Sequence, residues 1–342
     1  MSNVLDLSVC MATWNGRDLT LACLNSLIEY TKGITYEIIL VDNGSTDGTV
    51  QAVQASMPQV RIIANASNEG FAYANNQALR VATGRFAILV NNDMLFEMDA
   101  LSRMVAFMDA RPDVGVLGCR LRYPNRKIQP TAHEDYCWQD YLYSALFLHR
   151  LFPRSRVFGR MACTYVNYEA DDLAFETGFV AGAALMVRSA HLKEVGLLDE
   201  RVFTFAEDWE WCRRFANHGY KIVYYTGAEI IHYHGLSSFY YSGKDSDKVR
   251  ERSILRWTAA AFYVFRKLHP YASSDVMLFD FAFRLRCLSR TLAFGLRCLL
   301  RPRIGDYGMF RGYLACIFVS YQFLRQKYLR HEKQRTGCLS EM

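Results

Sequence analysis

Residues 86–94 read FAILVNNDM, an apolar run that stops abruptly at two amides and a carboxylate. Asn and Asp bend a chain cheaply through local side-chain hydrogen bonds, so Asn91-Asn92-Asp93 reads as a turn. The same cluster offers oxygen ligands to a hard cation, so it also reads as a metal site. Its neighbours show what kind of strand it ends. LSVCMAT, YEIILVD and VRIIAN precede it, followed in turn by the helical patterns RDLTLACLNSLIEYT, DGTVQAVQASM and GFAYANNQALRVAT. In the first of these, Leu19, Cys23, Leu27 and Tyr30 recur at helical spacing. Downstream, a helical pattern from Met98 to Asp109 leads into VGVLG. Strands alternating with helices of this length predict right-handed crossovers and a mostly parallel α/β sheet.

In such sheets ligands bind beyond the carboxyl ends of the strands. The polar clusters fall there: Thr13-Trp14-Asn15, Asp42-Asn43-Gly44, Asn65 to Gly70, and Asn91 to Asp93. One cluster is loop chemistry. Four on one edge of one sheet make a candidate site.

The 342 residues, 51% of them apolar, can hold one large α/β domain with an appendage, or two domains. Ten cysteines without a C-x-x-C pair or a zinc spacing predict the reduced thiols of a cytosolic protein. The start MSNVLDLSVCMATWN lacks the basic and apolar regions of a signal peptide. No run of uncharged apolar residues is long enough to predict a spanning helix. The net charge of +6 is unevenly placed, with acids clustered before residue 210 and Arg dominating after 250. The basic residues track no groove-reading motif, so nucleic acid is not a predicted partner.

From 120 to 175 the sequence is aromatic and aperiodic, which predicts a long insertion covering the site. GFVAGAALMVRSAHLKEVGLLDE then reads as a strand and a short helix. FTFAEDWEWCRRFANHGY reads as a helix closed by Gly219, and KIVYYTGAEIIHYHG as two further strands. His232 and His234, two apart in a strand pattern, point to one face.

The usual nucleotide and hydrolase fingerprints are missing: no G-x-G-x-x-G after the first strand, no P-loop, no G-x-S-x-G elbow. What remains is an oxygen-rich edge, the acidic pair Glu207-Asp208 and the histidine pair. The segments SVCMATWNGRDLTLACLNSL, EIILVDNGSTDGT, NEGFAYANNQALRVATGRFAILVNND and AGAALMVRSAHLKEVGLLDERVFTFAEDWEWCRRFANHGYKIVYYTGAEIIHYHG resemble glycosyltransferase family 2. The resemblance is to its bacterial rhamnosyltransferase-like branch, with the motifs in order over roughly residues 7 to 240. It implies a GT-A fold over 1–240, with a nucleotide-sugar half at 1–120 and an acceptor and catalytic half at 121–240. A helical region at 241–342 follows. It further implies an inverting transfer, a divalent metal (Mg or Mn) and a nucleotide-sugar donor, with dTDP-rhamnose the first choice. The implied acceptor is a hydroxyl of a polyprenyl-diphosphate-linked glycan in cell-surface polysaccharide biosynthesis. Two other classes are a non-catalytic sugar-nucleotide-binding assembly subunit and a nucleotidyltransferase. The latter would normally show a Gly-rich basic phosphate loop, which SVCMATWNG lacks.

The resemblance assigns residues as follows. NND stands at the family's D-x-D, with Asp93 at the metal-binding second Asp and Asn91 replacing the first. An amide oxygen can still accept a hydrogen bond or coordinate a cation, but one charge fewer leaves the metal held chiefly by the donor's diphosphate. Asn92 is grouped with the donor site. Asp42 matches the Asp that reads base or ribose, and Thr13 and Asn15 match a T-x-N wall. Asn68 and Gly70 match an N-x-G in which glycine lets backbone approach the nucleotide. Asn75 faces either the donor or solvent. Asp47 shares the D-x-x-x-x-D pattern or caps the following helix. His232 matches the histidine that closes on metal or diphosphate, and the role of His234 is open. Asp208 matches the catalytic base, with Glu207 beside it. A helix N-terminus favours an ionised carboxylate and Glu207 resists a second charge, so Asp208 is expected to be charged at neutral pH. Without the resemblance, Asp208 reads as an N-cap.

The segment DVMLFDFAFRLRCLSRTLAFGLRCLLRPRI is apolar but studded with arginines. Arg286, Arg290, Arg297 and Arg301 recur as one stripe if it is helical, and YLACIFVSYQFLRQKYLR repeats the theme. Both suit helices lying in a membrane interface beside anionic lipid, or a helical pair packed on the domain or on a second subunit. The membrane reading expects a cytoplasmic protein, peripheral on the inner face of the cell membrane.

Overall fold

The computed structural model describes residues 4–233, 246–270, 273–300, 303 and 306–329. His234 and Arg301 lie outside the described residues. The chain begins as a run of crossovers: β1 (Leu7–Thr13), α1 (Arg17–Tyr30), β2 (Tyr36–Asp42), α2 (Thr49–Ser56), β3 (Arg61–Ala64), α3 (Phe71–Val81) and β4 (Phe86–Val90). These strands pair in parallel in the order β3-β2-β1-β4. Every residue of β4 is buried, as its unbroken apolar run requires of a strand covered on both faces. β5 (Met94–Leu95), α4 (Ala100–Ala110) and β6 (Val114–Arg122) follow.

The next stretch is built of short pieces: β7 (Ile128–Gln129), β8 (Ala132–His133), α5 (Trp138–Ala145), α6 (Leu148–Leu151) and β9 (Ala174–Glu176). β10 (Phe179–Val180), β11 (Ala184–Arg188), α7 (Leu192–Val195), α8 (Glu207–Asn217) and β12 (Lys221–His232) then return to the sheet. β11 inserts antiparallel between β4 and β6, completing the order β3-β2-β1-β4-β11-β6-β12-β5. The sheet is therefore mixed but mostly parallel. The two strands expected in KIVYYTGAEIIH are one bulged strand, β12, whose register on β6 shifts between Tyr225 and Glu229. The bulge is held from outside: Thr226 Oγ1 donates to the Ala170 carbonyl at 2.7 Å and accepts from Leu173 N–H at 2.8 Å. A polar residue fastened this way bends a strand without ending it.

Among the described residues the helices that follow are α9 (Ser246–Leu268), α10 (Ser273–Leu300), α11 (Asp306–Phe318) and α12 (Tyr321–Tyr328). No described helix is long and apolar enough to cross a membrane. They share a core with the preceding part: Tyr141 of α5 packs on Phe279 and Phe283 of α10, and Phe262 of α9 packs on both phenylalanines. Two members of the arginine stripe of α10, Arg286 and Arg290, face this core. Arg286 Nε donates to Ser144 Oγ at 3.0 Å and its guanidinium lies over Trp257, while Arg290 lies over Phe147. Arg297 pairs with Asp306 at 3.5 Å. An arginine spreads its flat face on aromatic rings while its N–H groups reach polar atoms, which a lysine would do less well.

Candidate active site

The loops after β1, β2, β3 and β4 are stapled to one another by amide side chains. Asn15, held at φ 48°, accepts at Oδ1 from Thr46 N–H at 2.8 Å, and its own N–H donates to Ser45 Oγ at 2.7 Å, joining the first loop to the second. Asn43 joins the second to the third. Its Nδ2 donates to Asn68 Oδ1 and the Gly70 carbonyl, and its Oδ1 accepts from Asn65 Nδ2 and Glu69 N–H, all between 3.0 and 3.2 Å. Asn92 joins the fourth to the first, donating through Nδ2 to the Thr13 and Thr20 hydroxyls at 3.0 and 3.1 Å. A Cβ on Gly16 would lie 2.3 Å from that Nδ2, so only glycine leaves room for the staple. Buried polar groups need partners, and here they find them in the neighbouring loop.

These bonds revise several sequence expectations. Thr13, Asn15, Asn68 and Asn92 make bonds that shape the donor edge. Asn75 is buried, neither on a solvated face nor exposed: its Nδ2 donates to the Phe71 carbonyl at 3.0 Å, and its Oδ1 has no hydrogen-bond partner. Gly70, at φ 89°, admits another part of the chain, since a Cβ there would sit 2.6 Å from the Phe203 carbonyl oxygen. Asp47 bonds to the starts of two helices, accepting from Arg17 N–H and from Thr49. Asp42 is different. Its Oδ2 accepts from Ser45 N–H at 2.9 Å, while Oδ1 is buried without a hydrogen-bond partner. An orphaned carboxylate oxygen is costly to keep dry, and it is an acceptor ready for a ligand's N–H or O–H.

At the end of β4, Asp93 and His232 come together, with Asp93 Oδ1 and His232 Nε2 3.2 Å apart and both side chains buried. β5 pairs with the end of β12, and this brings the two residues into reach. His232 Nδ1 bonds Gln129 Oε1 at 3.0 Å, which turns Nε2 towards Asp93 and towards Asn91 Nδ2, 3.4 Å away. Gln129 comes from the 120–175 insertion, and its part could not be read from sequence. A carboxylate and an imidazole nitrogen converging on one point suit a divalent cation, with a carbonyl-type acceptor fixing the ring from behind. Among the described residues no group of three or more His, Cys, Asp or Glu could hold a metal alone. The remaining ligands of an ion at Asp93 and His232 would be oxygens of water, of an amide such as Asn91, or of a bound phosphate.

Across from this pair, α8 begins with Glu207 and Asp208. The two residues before it, Phe205 and Ala206, have φ of 74° and 62°, a left-handed pair without glycine. Such strain concentrates where a side chain must be aimed. Asp208 Oδ2 accepts from Gly182 N–H at 2.9 Å and Oδ1 from Trp209 N–H at 2.8 Å. The next carbonyl, Ala183, accepts from Asn91 N–H at 2.9 Å, so Asp208 and the NND turn are one short stretch of backbone apart. Burial pushes the Asp208 carboxyl above its usual pKa, against the downward pull of those backbone N–H groups and of His133. This differs from the helix-terminus expectation: desolvation outweighs the dipole. Burial, and then the Asp208 charge, push Glu207 up to about 8. Desolvation thus raises both carboxyls of the pair, and Glu207 stands above neutral pH.

The insertion also walls this side. Trp209 Nε1 donates to Asp135 Oδ1 at 2.8 Å, and Tyr136 packs on Trp209 and Phe179. Lys267 of α9 reaches Glu210 and Asp199, each at 2.7 Å, and so braces α8 from behind.

The family model for glycosyl transferase family 2 matches residues 8–166, which contain all four stapled loops. Residues 8–166 are a glycosyl transferase family 2 domain. The chain is 26% identical over 210 residues to an N-acetylglucosaminyl-diphospho-decaprenol L-rhamnosyltransferase of Mycobacterium tuberculosis, covering 57% of this chain and 66% of that one, just under two thirds of the relative's length. A PGL/p-HBAD biosynthesis glycosyltransferase of Mycobacterium bovis is 33% identical over 105 residues, 30% of this chain and 41% of that one. Among solved structures, a mannosyltransferase from Pyrobaculum calidifontis in complex with GDP-Man and Mn2+ superposes with a TM-score of 0.57 at 17% identity, covering 93% of this chain and 88% of its own. That likeness establishes the fold, the GT-A arrangement of family 2. The family 2 domain model ends at residue 166, so Asp208 and His232 lie beyond it, on elements brought back to the same cleft by β11 and β12.

Proposed function

We propose that the protein is an inverting glycosyltransferase that moves rhamnose from dTDP-rhamnose to a hydroxyl of a polyprenyl-diphosphate-linked glycan. One observation carries the reading. Asp93 and His232 lie at one end of the Asn91–Ala183 backbone link, and Asp208 at the other. Inversion needs the leaving diphosphate and the base on opposite faces of the sugar, and a base at one end of this link with a diphosphate site at the other would serve it. Asp42 Oδ1 would accept from the donor's base or ribose. Asp93 and His232 would hold a divalent metal, which when bound neutralises charge on the leaving diphosphate. Asp208 takes the proton from the acceptor hydroxyl, and the protonated Glu207 beside it adds no competing charge. The mycobacterial relative, whose name gives a decaprenyl-diphosphate acceptor and L-rhamnose transfer, supports the choice of sugar and lipid-linked acceptor.

The test is a transfer assay with manganese, a panel of nucleotide sugars and a short-chain polyprenyl-diphosphate N-acetylglucosamine. Rhamnosylated lipid is the expected product. Transfer of a different sugar would replace the donor assignment. Binding of nucleotide sugar without any transfer or hydrolysis would overturn the enzyme reading in favour of a sugar-nucleotide-binding subunit, the class that Asn91 in place of an Asp first suggested.

A further inference from the structure

The face of α10 opposite its inward arginines is an unbroken apolar stripe. Met277, Phe281, Leu288, Leu292, Leu296 and Leu299 are all exposed, Leu292 by 66% and Leu299 by 84%. Their spacing of three, four or seven keeps them on one side of the helix. A second exposed apolar set, Leu146, Leu151, Phe152 and Val157, sits on the segment after α5. The segment packs against α10 at the helix's inner face, where Arg290 crosses the Phe147 ring at 4.8 Å, and the stripe lies on the helix's other side. Single exposed leucines need no explanation, but two neighbouring sets of this size mark an interaction surface.

Charge indicates the partner. No acidic residue stands between Asp140 and Glu169, or between Asp280 and the end of α10. Among the apolar residues of the segment stand Arg150, Arg154 and Arg156, all exposed. A second copy using the same face would set arginine against arginine with no carboxylate to answer it, which disfavours a symmetric dimer. Apolar side chains interleaved with arginines and free of acids suit the headgroup region of an anionic bilayer.

We propose that residues 146–157 and the outward stripe of α10 form a docking face for an anionic lipid surface. The partner is the one the arginine-rich sequence suggested, but the residues differ. Arg286 and Arg290 are spent on the protein's own aromatic rings, and the leucines and the insertion make the contact. This goes beyond the transfer reading and needs no transfer to test. Full-length protein is floated with phosphatidylcholine vesicles, with and without phosphatidylglycerol. Binding is expected only with the anionic lipid, and it should fall as salt rises. Arg150→Glu with Arg154→Glu should weaken it by about fivefold or more per residue, and Leu292→Glu with Leu299→Glu should abolish it. Nucleoside diphosphate binding by calorimetry, unchanged in both variants, shows that the fold and donor edge survive. Wild-type protein that ignores anionic vesicles overturns the proposal, and so does vesicle binding untouched by either pair. A dimer in solution that Leu292→Glu with Leu299→Glu dissolves would reassign the face to a second copy.

Discussion

The two sides of the cleft are built on different principles. The candidate donor edge is assembled from neighbouring loops, all before residue 94, held mostly by amide and hydroxyl hydrogen bonds that cross from each loop to the next. The Asp208 side gathers residues from distant segments: Asp135 from the insertion, Gly182 before β11, Asp208 on α8 and Lys267 on α9. It relies on buried charges whose state depends on desolvation. The first side should be insensitive to pH and the second strongly sensitive. A polar edge is a rigid mould, whereas a desolvated acid pair is a chemical tool.

The sharpest separation is Asp208→Asn. It keeps the size and the backbone N–H partners but cannot take a proton, so turnover should fall by about 100- to 10,000-fold. Calorimetric donor affinity should stay near wild type, and near-normal turnover would make Asp208 a helix cap only. Asp93→Ala should act on the other side, weakening manganese-dependent nucleoside diphosphate binding by about 10- to 100-fold. Asn91→Asp should be tolerated or tighten the metal, because it restores a carboxylate at a hard-cation site. Equal affinity with and without manganese in the wild type would remove the metal from the scheme.

Gly70→Ala tests whether the two sides are joined. The new methyl meets the Phe203 carbonyl at 2.6 Å on a backbone at φ 89°, and Phe203 leads directly into the strained turn before Asp208. A destabilisation of about 1–3 kcal/mol is expected, read by urea melts, together with a loss of turnover although Gly70 lies on the donor loop. A variant with lower stability but full turnover would show the two sides to be independent. Glu207→Gln gives the smallest effect. Because Glu207 titrates near 8 when folded and near 4.5 otherwise, the wild type loses stability as pH rises from about 4.5 to 8, and the glutamine should remove that slope. Melting temperatures measured across this window check it.

Legibility followed the same division. The alternation of strands and helices and the placement of polar clusters on one edge needed only local periodicity, and the structure has both. Asp93, His232 and Asp208 came from motifs, and the structure sets Asp93 against His232 and ties Asp208 to the same turn through Gly182 and Ala183. Sequence could not tell that Asn43 and Asn92 would be hubs rather than ligands, since an asparagine in a loop looks the same whether its amide meets a neighbouring loop or a nucleotide. It also misread the arginines of α10, because a stripe of charge reads as a wet surface unless the aromatic rings that cover it, here from α5 and α9, are known. Gln129 carried no signal at all: its importance comes from a two-residue strand that ends beside β12.

The Lys267 brace has a consequence for the order in which the molecule becomes competent. A chain emerges from the ribosome N-terminus first, and units fold as they become available. Every bond among the four donor loops is complete once residue 93 has emerged, but Glu210, beside the base on α8, waits for a lysine fifty-seven positions later. Among the described residues, Arg214 is the other side chain paired with Glu210. The nascent protein can therefore shape its donor edge long before its base is braced, and synthesis of α9 is the step that arms it.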